Sequence, residues 1–364
     1  MDLLIQISGV IYLLIQYYFS EVIFNFKEKH LNLLKISIIL FFEILMLSIF
    51  KILSYQTLWF LALLKFTFIL FKNSEIKKIS FNYKFDFVNF SIFIVYLCYG
   101  YLSLISGFTI DDVLTTYIPR VNQWIQNQSV FINLDFNSYY TPILTYPLAG
   151  QFPLLIIKIF RLPDYFYFLI SAYMTYQILL SIKKFLKLNE KEYRYTKFLL
   201  FLSPIILLLS SSGLTDLYFS YFLINSFYYI SSFSKSNNTN YLFLSSVFAI
   251  FAINVRYHGL FVLFIVGLII LFSKRIENIY NFSKYTFFNF LILLAPNIIW
   301  QYNSGIFKLL SSNIETQLTL GGNNVVNINT ELLERIDQGS VIFDFFNSLT
   351  YSSINFLFVD IPML

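Results

Sequence analysis

Of 364 residues, 57% are hydrophobic and 21% aromatic, and only 12% are charged, about half of the roughly 25% usual in a soluble globular chain. That balance excludes an ordinary soluble domain and, with apolar runs near the ~20-residue spanning length, predicts a polytopic membrane protein. The net charge of +5 is spread over loops; no basic run has the density of a nucleic-acid tract, so nucleic acid is excluded as a partner and the charge reads as topology information.

The N-terminus, MDLLIQISGVIYLLIQYYF, has neither a basic leader nor a small-residue cleavage site, which predicts a retained first helix. Apolar runs follow at 2–23, 32–50, 55–71, 87–106, 164–182, 195–212, 215–233, 241–255, 257–273 and 285–302. Helices are expected for all of them, because unpaired backbone in lipid costs several kcal/mol per group and no even strand-and-turn pattern points to a barrel. The single cysteine, Cys98, falls inside the fourth run, where it forms no internal disulfide or cysteine metal cluster and is expected to be inert packing.

Residues 143–160 form a further run, but Pro147 and Pro153 interrupt it. If it lies along or dips into the outer surface and the N-terminus is outside, 17 of the 25 Lys and Arg fall in inner loops and 7 on the outer side, with Lys65 inside a run. If it spans, the basic loop KKFLKLNEKEYRYTK and all that follows change sides and the bias largely disappears. The expected architecture is therefore all-α, with about ten or eleven transmembrane helices. Residues 1–84 are expected to form an N-terminal extension and 85–302 a core with a large outer loop at 107–163. Residues 303–364 supply an outer polar loop and a C-terminal segment whose ending, FLFVDIPML, fits either a short natural terminus or a truncation.

Rare ionisable groups gather at the outer ends of these runs: Asp111 and Asp112 after the fourth, Asp216 at the start of the seventh, and Arg256 and His258 in the turn NVRYHG. Such groups at membrane depth are costly and usually functional, though less costly at the rim. Each also has a structural reading. Asp111 and Asp112 suit the start of an amphipathic helix with the stripe Val113, Tyr117, Val121, Trp124 and Ile125. Asp216 after Thr215 suits a capped helix start, and Arg256 and Arg120 suit headgroup anchors. Tyr139 and Tyr140 could stack on a sugar, against a background rich in aromatics. Nucleotide-binding loops, zinc-protease helices and serine-hydrolase elbows have no match in the sequence.

The order of features resembles the GT-C fold glycosyltransferases, the polytopic enzymes that include protein O-mannosyltransferases and lipid A aminoarabinose transferases. The likeness is carried by Asp111 and Asp112, then Tyr117, Pro119, Arg120 and Trp124, a YTPILTYPL stretch, a basic inner loop, and Leu202, Ser203 and Pro204 leading to Thr215 and Asp216. It covers roughly residues 85–302.

That resemblance implies sugar transfer from a polyprenyl-phosphate carrier to a glycan, lipid or protein acceptor outside the bacterial plasma membrane. Asp111, with Asp112 as the alternative, would take or orient the acceptor proton. Arg256 and His258 would hold the donor phosphate, and Tyr117, Arg120, Trp124, Tyr139 and Tyr140 would line the substrate loop. Asp216 would orient the acceptor or join a divalent metal, Mg or Mn, which a single-phosphate donor does not require. Two rivals use other features. A transporter of lipid-linked glycans would need ionisable groups within its helices, for which Lys65 and Glu43 are the candidates. An O-antigen-type polymerase would rely on outer-loop arginines, and only Arg335 stands in the later loop.

Overall fold

The computed structural model describes residues 2–24, 28–72, 87–106, 117–131, 147–213, 215–272, 276–303, 317–320 and 324–327. Asp111, Asp112, Tyr139 and Tyr140 lie outside them. The helices are α1 (Asp2–Ile23), α2 (Asn32–Ile49), α3 (Tyr55–Lys72), α4 (Phe87–Ser106), α5 (Ile118–Gln126), α6 (Phe152–Ile159) and α7 (Tyr165–Leu186). They continue with α8 (Glu190–Leu202), α9 (Pro204–Ser212), α10 (Asp216–Ser236), α11 (Thr239–Val255), α12 (Gly259–Phe272), α13 (Ile276–Asn289) and α14 (Ala295–Asn303). A π-helical stretch, Phe290–Leu294, joins the last two. A small antiparallel hairpin pairs β1 (Gln317–Leu320) with β2 (Asn324–Asn327), Gln317 opposite Asn327.

Among the described residues, five helical segments are long and apolar enough to cross a membrane: Asp2–Ile23, Lys29–Ile49, Tyr55–Lys72, Tyr165–Leu186 and Glu277–Ile299. The chain is thus a helical membrane protein, and its described residues hold fewer full-length spans than the ten or eleven expected. Thr239–Val255 and Gly259–Phe272 are apolar but shorter than a full span, and two further runs have local causes. The run 195–212 is broken: α8 and α9 meet at 57°, because Pro204 forces the preceding Ser203 into an extended conformation (φ −63°, ψ 124°). Counting that bent pair as one gives six. The second cause is α10, whose 21 residues include Asn225, Ser226 and other polar positions, so it is not apolar enough for a lipid-facing span.

The polar groups of α10 are spent inside the bundle. Asn225 Nδ2 donates to Ser181 Oγ at 2.9 Å, Tyr218 donates to Ser37 Oγ at 2.7 Å, and Tyr221 donates to the His30 carbonyl at 2.7 Å. Small residues at the α10–α11 contact, where Ser245 Oγ donates to the Ser226 carbonyl at 3.0 Å, let the two helices approach closely. The core continues through Phe222 and Phe251, stacked at 5.1 Å, and takes in Tyr12, Phe41 and Ile44 of the first two helices. The bundle's outside carries Phe60, Phe71, Phe87, Phe264 and Phe272, the apolar surface expected toward lipid. Cys98 is a free thiol exposed on α4.

Residues 149–160 behave as the prolines require. A 3-10 turn, Ala149–Gln151, leads into α6, with Pro153 in its first turn, where the missing N–H costs no helical bond. Eight residues cover about 12 Å, against the ~30 Å of a bilayer core, so α6 does not span. Cross-element contacts join residues that the charge count assigns to one side. Arg161 pairs with Asp2 at 2.7 Å and Ser129 Oγ donates to the Ser48 carbonyl at 2.8 Å, while at the other end Lys184 pairs with Glu28 at 2.7 Å.

Candidate functional site

Helix α11 stops at Val255, and Arg256 leaves it in extended geometry (φ −148°, ψ 142°). The chain then reverses through Tyr257 and His258, held by Gly259 N–H to the Arg256 carbonyl at 2.9 Å and Leu260 N–H to the Tyr257 carbonyl at 2.9 Å. Gly259 permits this reversal, because a Cβ there would fall 2.2 Å from the Ile253 nitrogen. The turn that bears the cation is therefore built around a position where only glycine fits.

Arg256 reaches across to the start of α10. Its Nη2 donates to Asp216 Oδ2 at 2.8 Å and its Nε to Thr215 Oγ1 at 3.0 Å. Thr215 does not cap α10 with its side chain; its hydroxyl is used by the arginine instead. The ion pair is open to solvent, with side-chain exposures of 26% for Arg256 and 29% for Asp216, so an incoming anion can reach it. The 3-10 turn Ala149–Gln151 leans on the same place: a Cβ at Gly150 would lie 2.7 Å from the Val255 carbonyl and 3.1 Å from Thr215 Cγ2.

Helix α5 adds a second guanidinium. Arg120, 1% exposed, stacks over the Trp124 ring at 4.7 Å, and Trp124 in turn meets Phe152 of α6 edge-on at 6.4 Å. Both side chains face the protein, so neither acts as the headgroup anchor that an exposed amphipathic helix would present. Burial pulls the Arg120 pKa down to about 9, opposed by the nearby Tyr257 and Tyr117 hydroxyls, and the group remains a cation at neutral pH. His258 titrates below its ordinary value, mainly through burial and then through repulsion by Arg256, with Asp216 opposing. Tyr167 of α7 completes the surroundings, within the electrostatic field of Asp216, Tyr117 and Arg256.

Five elements thus meet at one end of the bundle: α5, α7, the Ala149–Gln151 turn, the start of α10 and the α11–α12 turn. Of the residues singled out in the sequence, the described structure brings together Asp216, Arg256 and His258, with Tyr117 and Arg120 linked to them through Tyr257 and Tyr167. Asp216 and Arg256, expected to hold different ligands, hold each other. Two participants were missed: Tyr257 lay within the NVRYHG turn and was there to be read, whereas Tyr167 is hidden in the aromatic run YFYF. The chemistry on offer is anion binding by the partly exposed Arg256 guanidinium, with the Thr215 hydroxyl beside it. Among the described residues no group of three or more His, Cys, Asp or Glu side chains could hold a metal ion. No protein-family model, no curated protein and no solved structure matches this chain.

Proposed function

We propose that this chain is a membrane glycosyltransferase of the GT-C kind, moving a sugar from a polyprenyl-phosphate donor to a cell-envelope glycan, lipid or protein acceptor on the extracytoplasmic face. The observation that carries the reading is the solvent-accessible Arg256–Asp216–Thr215 cluster at one end of an apolar helical bundle. In a phosphate-linked donor the departing carrier gains negative charge as the glycosidic bond breaks, and cations fixed in advance at that point stabilise it. Arg256 supplies that cation, and Asp216 and Thr215 keep its guanidinium plane oriented between turnovers. Asp111 or Asp112 takes the acceptor hydroxyl proton in this reading. Purified protein supplied with undecaprenyl-phosphate hexoses tests it: Asp111→Asn and Asp112→Asn, singly or together, should abolish release of the carrier while leaving it bound. Undiminished turnover in both single variants and the double variant removes the catalytic assignment.

One observation favours a transporter instead. Glu43 of α2 and Lys65 of α3 pair within the helices, and Tyr12 and Gln16 of α1 donate to the same Glu43 oxygen at 3.2 and 2.6 Å. Ionisable pairs at that depth serve ion coupling in transporters. Flux of a lipid-linked glycan across proteoliposomes by wild type, abolished by Glu43→Gln in protein verified as folded, would establish that alternative.

A further inference from the structure

Three amide side chains are buried beneath the Arg256 turn with hydrogen-bonding atoms unmet among the described residues. Gln151, Asn254 and Asn297 are 2%, 0% and 1% exposed. Gln151 Oε1, Asn254 Oδ1 and both polar atoms of the Asn297 amide have no partner among the described residues. Contacts to backbone carbonyls bring together the segments that carry them. Asn254 Nδ2 donates to the Leu293 carbonyl at 2.8 Å, and that carbonyl lies four residues, one helical turn, before Asn297. Gly150, next to Gln151, presses on the carbonyl of Val255, next to Asn254. Arg256 is the following residue.

Native interiors pair nearly all buried polar atoms, and leaving one unmet costs about 1–3 kcal/mol. Four unmet atoms on these neighbouring segments leave hydrogen-bonding capacity that a ligand can complete. The backbone agrees: the Leu293 carbonyl belongs to the π-helical stretch Phe290–Leu294, a rare geometry that recurs at functional sites. The unmet set is three acceptor oxygens and one N–H donor, all uncharged, which sugar hydroxyls can meet by donating to the oxygens and accepting from the Asn297 amide. Charge is handled next door by Arg256.

We propose that Gln151, Asn254 and Asn297 form the sugar subsite of the donor, binding the hydroxyls of an uncharged monosaccharide whose phosphate lies toward Arg256. This rests on the donor reading above. Binding of undecaprenyl phosphate, bare and bearing glucose, mannose, galactose or arabinose, to the purified full chain tests it, alongside thermal unfolding of the unliganded protein. Wild type should bind one sugar-bearing carrier at least about tenfold tighter than the bare carrier, as one or two satisfied amides imply. Asn297→Leu should unfold at the same or a higher temperature, having lost an unmet amide, and should lose that preference while binding the bare carrier as wild type does. Gln151→Leu provides the same comparison if the first variant does not fold. Preference retained in the variant overturns the subsite, as does a lowered unfolding temperature with preference intact, which marks the amides as water-bridged structure. Wild type that binds the bare carrier without preferring any of the sugars overturns the subsite alone. Wild type that binds neither carrier overturns the donor reading and the subsite with it.

Discussion

Arg256 is gripped by two neighbouring side chains, Thr215 through Nε and Asp216 through Nη2, a planar two-pronged contact that a lysine cannot reproduce. The pair is about a quarter exposed, so its worth to stability is small, within the 0–1 kcal/mol typical of such pairs. Arg256→Lys should accordingly leave unfolding temperature nearly unchanged and reduce turnover by about tenfold or more, through lost orientation. The same locality sets a pH response. The folded-state pKa of His258 is lowered, so between that value and the unfolded value the unfolded chain binds more protons. Stability therefore falls as pH drops through the ordinary histidine range near 6.5, and His258 makes no contribution above it. His258→Gln should flatten unfolding temperature against pH over pH 7.5 to 5. A slope unchanged in the variant would assign the acid sensitivity to another group.

At the level of single elements, local sequence explains where helices begin, bend and stop. Asn189 accepts from the Glu192 N–H at 3.0 Å while the Glu192 carboxylate accepts from the Asn189 N–H at 2.8 Å, a reciprocal cap that starts α8. Asn189→Ala should cost about 1 kcal/mol in denaturant unfolding and leave turnover intact, since the cap lies at the end remote from Arg256. The α11–α12 turn behaves oppositely. Gly259→Ala places a methyl against the Ile253 backbone, so the turn must open, and turnover should fall with stability. Most helix positions were legible from apolar runs: 2–23, 32–50, 55–71 and 87–106 match α1 to α4 within a residue or so. The Ser203–Pro204 bend was not, although Pro204 was in plain view, because hydropathy sums over a run and carries no direction. The site was legible only in part. NVRYHG and LTD stood out as polar breaks in apolar sequence, but the Gln151, Asn254 and Asn297 amides lie within or beside apolar helices and look like ordinary packing until their partners are known.

Across the whole molecule, α1 to α3 share the core of the later helices: Tyr12 meets Phe160 at 5.0 Å, and Ser37 and the His30 carbonyl accept from Tyr218 and Tyr221 of α10. The Glu43–Lys65 pair, 4% and 11% exposed, ties α3 to α2 across α1. Removing one partner of a buried pair leaves an uncompensated charge, at a cost of about 3–5 kcal/mol, whereas replacing both is close to neutral. Glu43→Gln and Lys65→Met should each destabilise by that order, and the double variant should recover most of the loss. Additive losses would show that the two side chains act independently.

In the proposed function the Arg256–Asp216 end of the bundle transfers a sugar from a phosphate-linked lipid. The most direct measurement is release of undecaprenyl phosphate from its radiolabelled hexose form by protein reconstituted in liposomes, for wild type, Asp216→Asn and Arg256→Ala, each verified as folded by thermal unfolding. Wild type should release the carrier, and Arg256→Ala should do so at least about a hundredfold more slowly, the scale for losing one preorganised charge-stabilising group, with Asp216→Asn also impaired. Equal release by all three folded proteins, or none from wild type with any hexose offered, would contradict it.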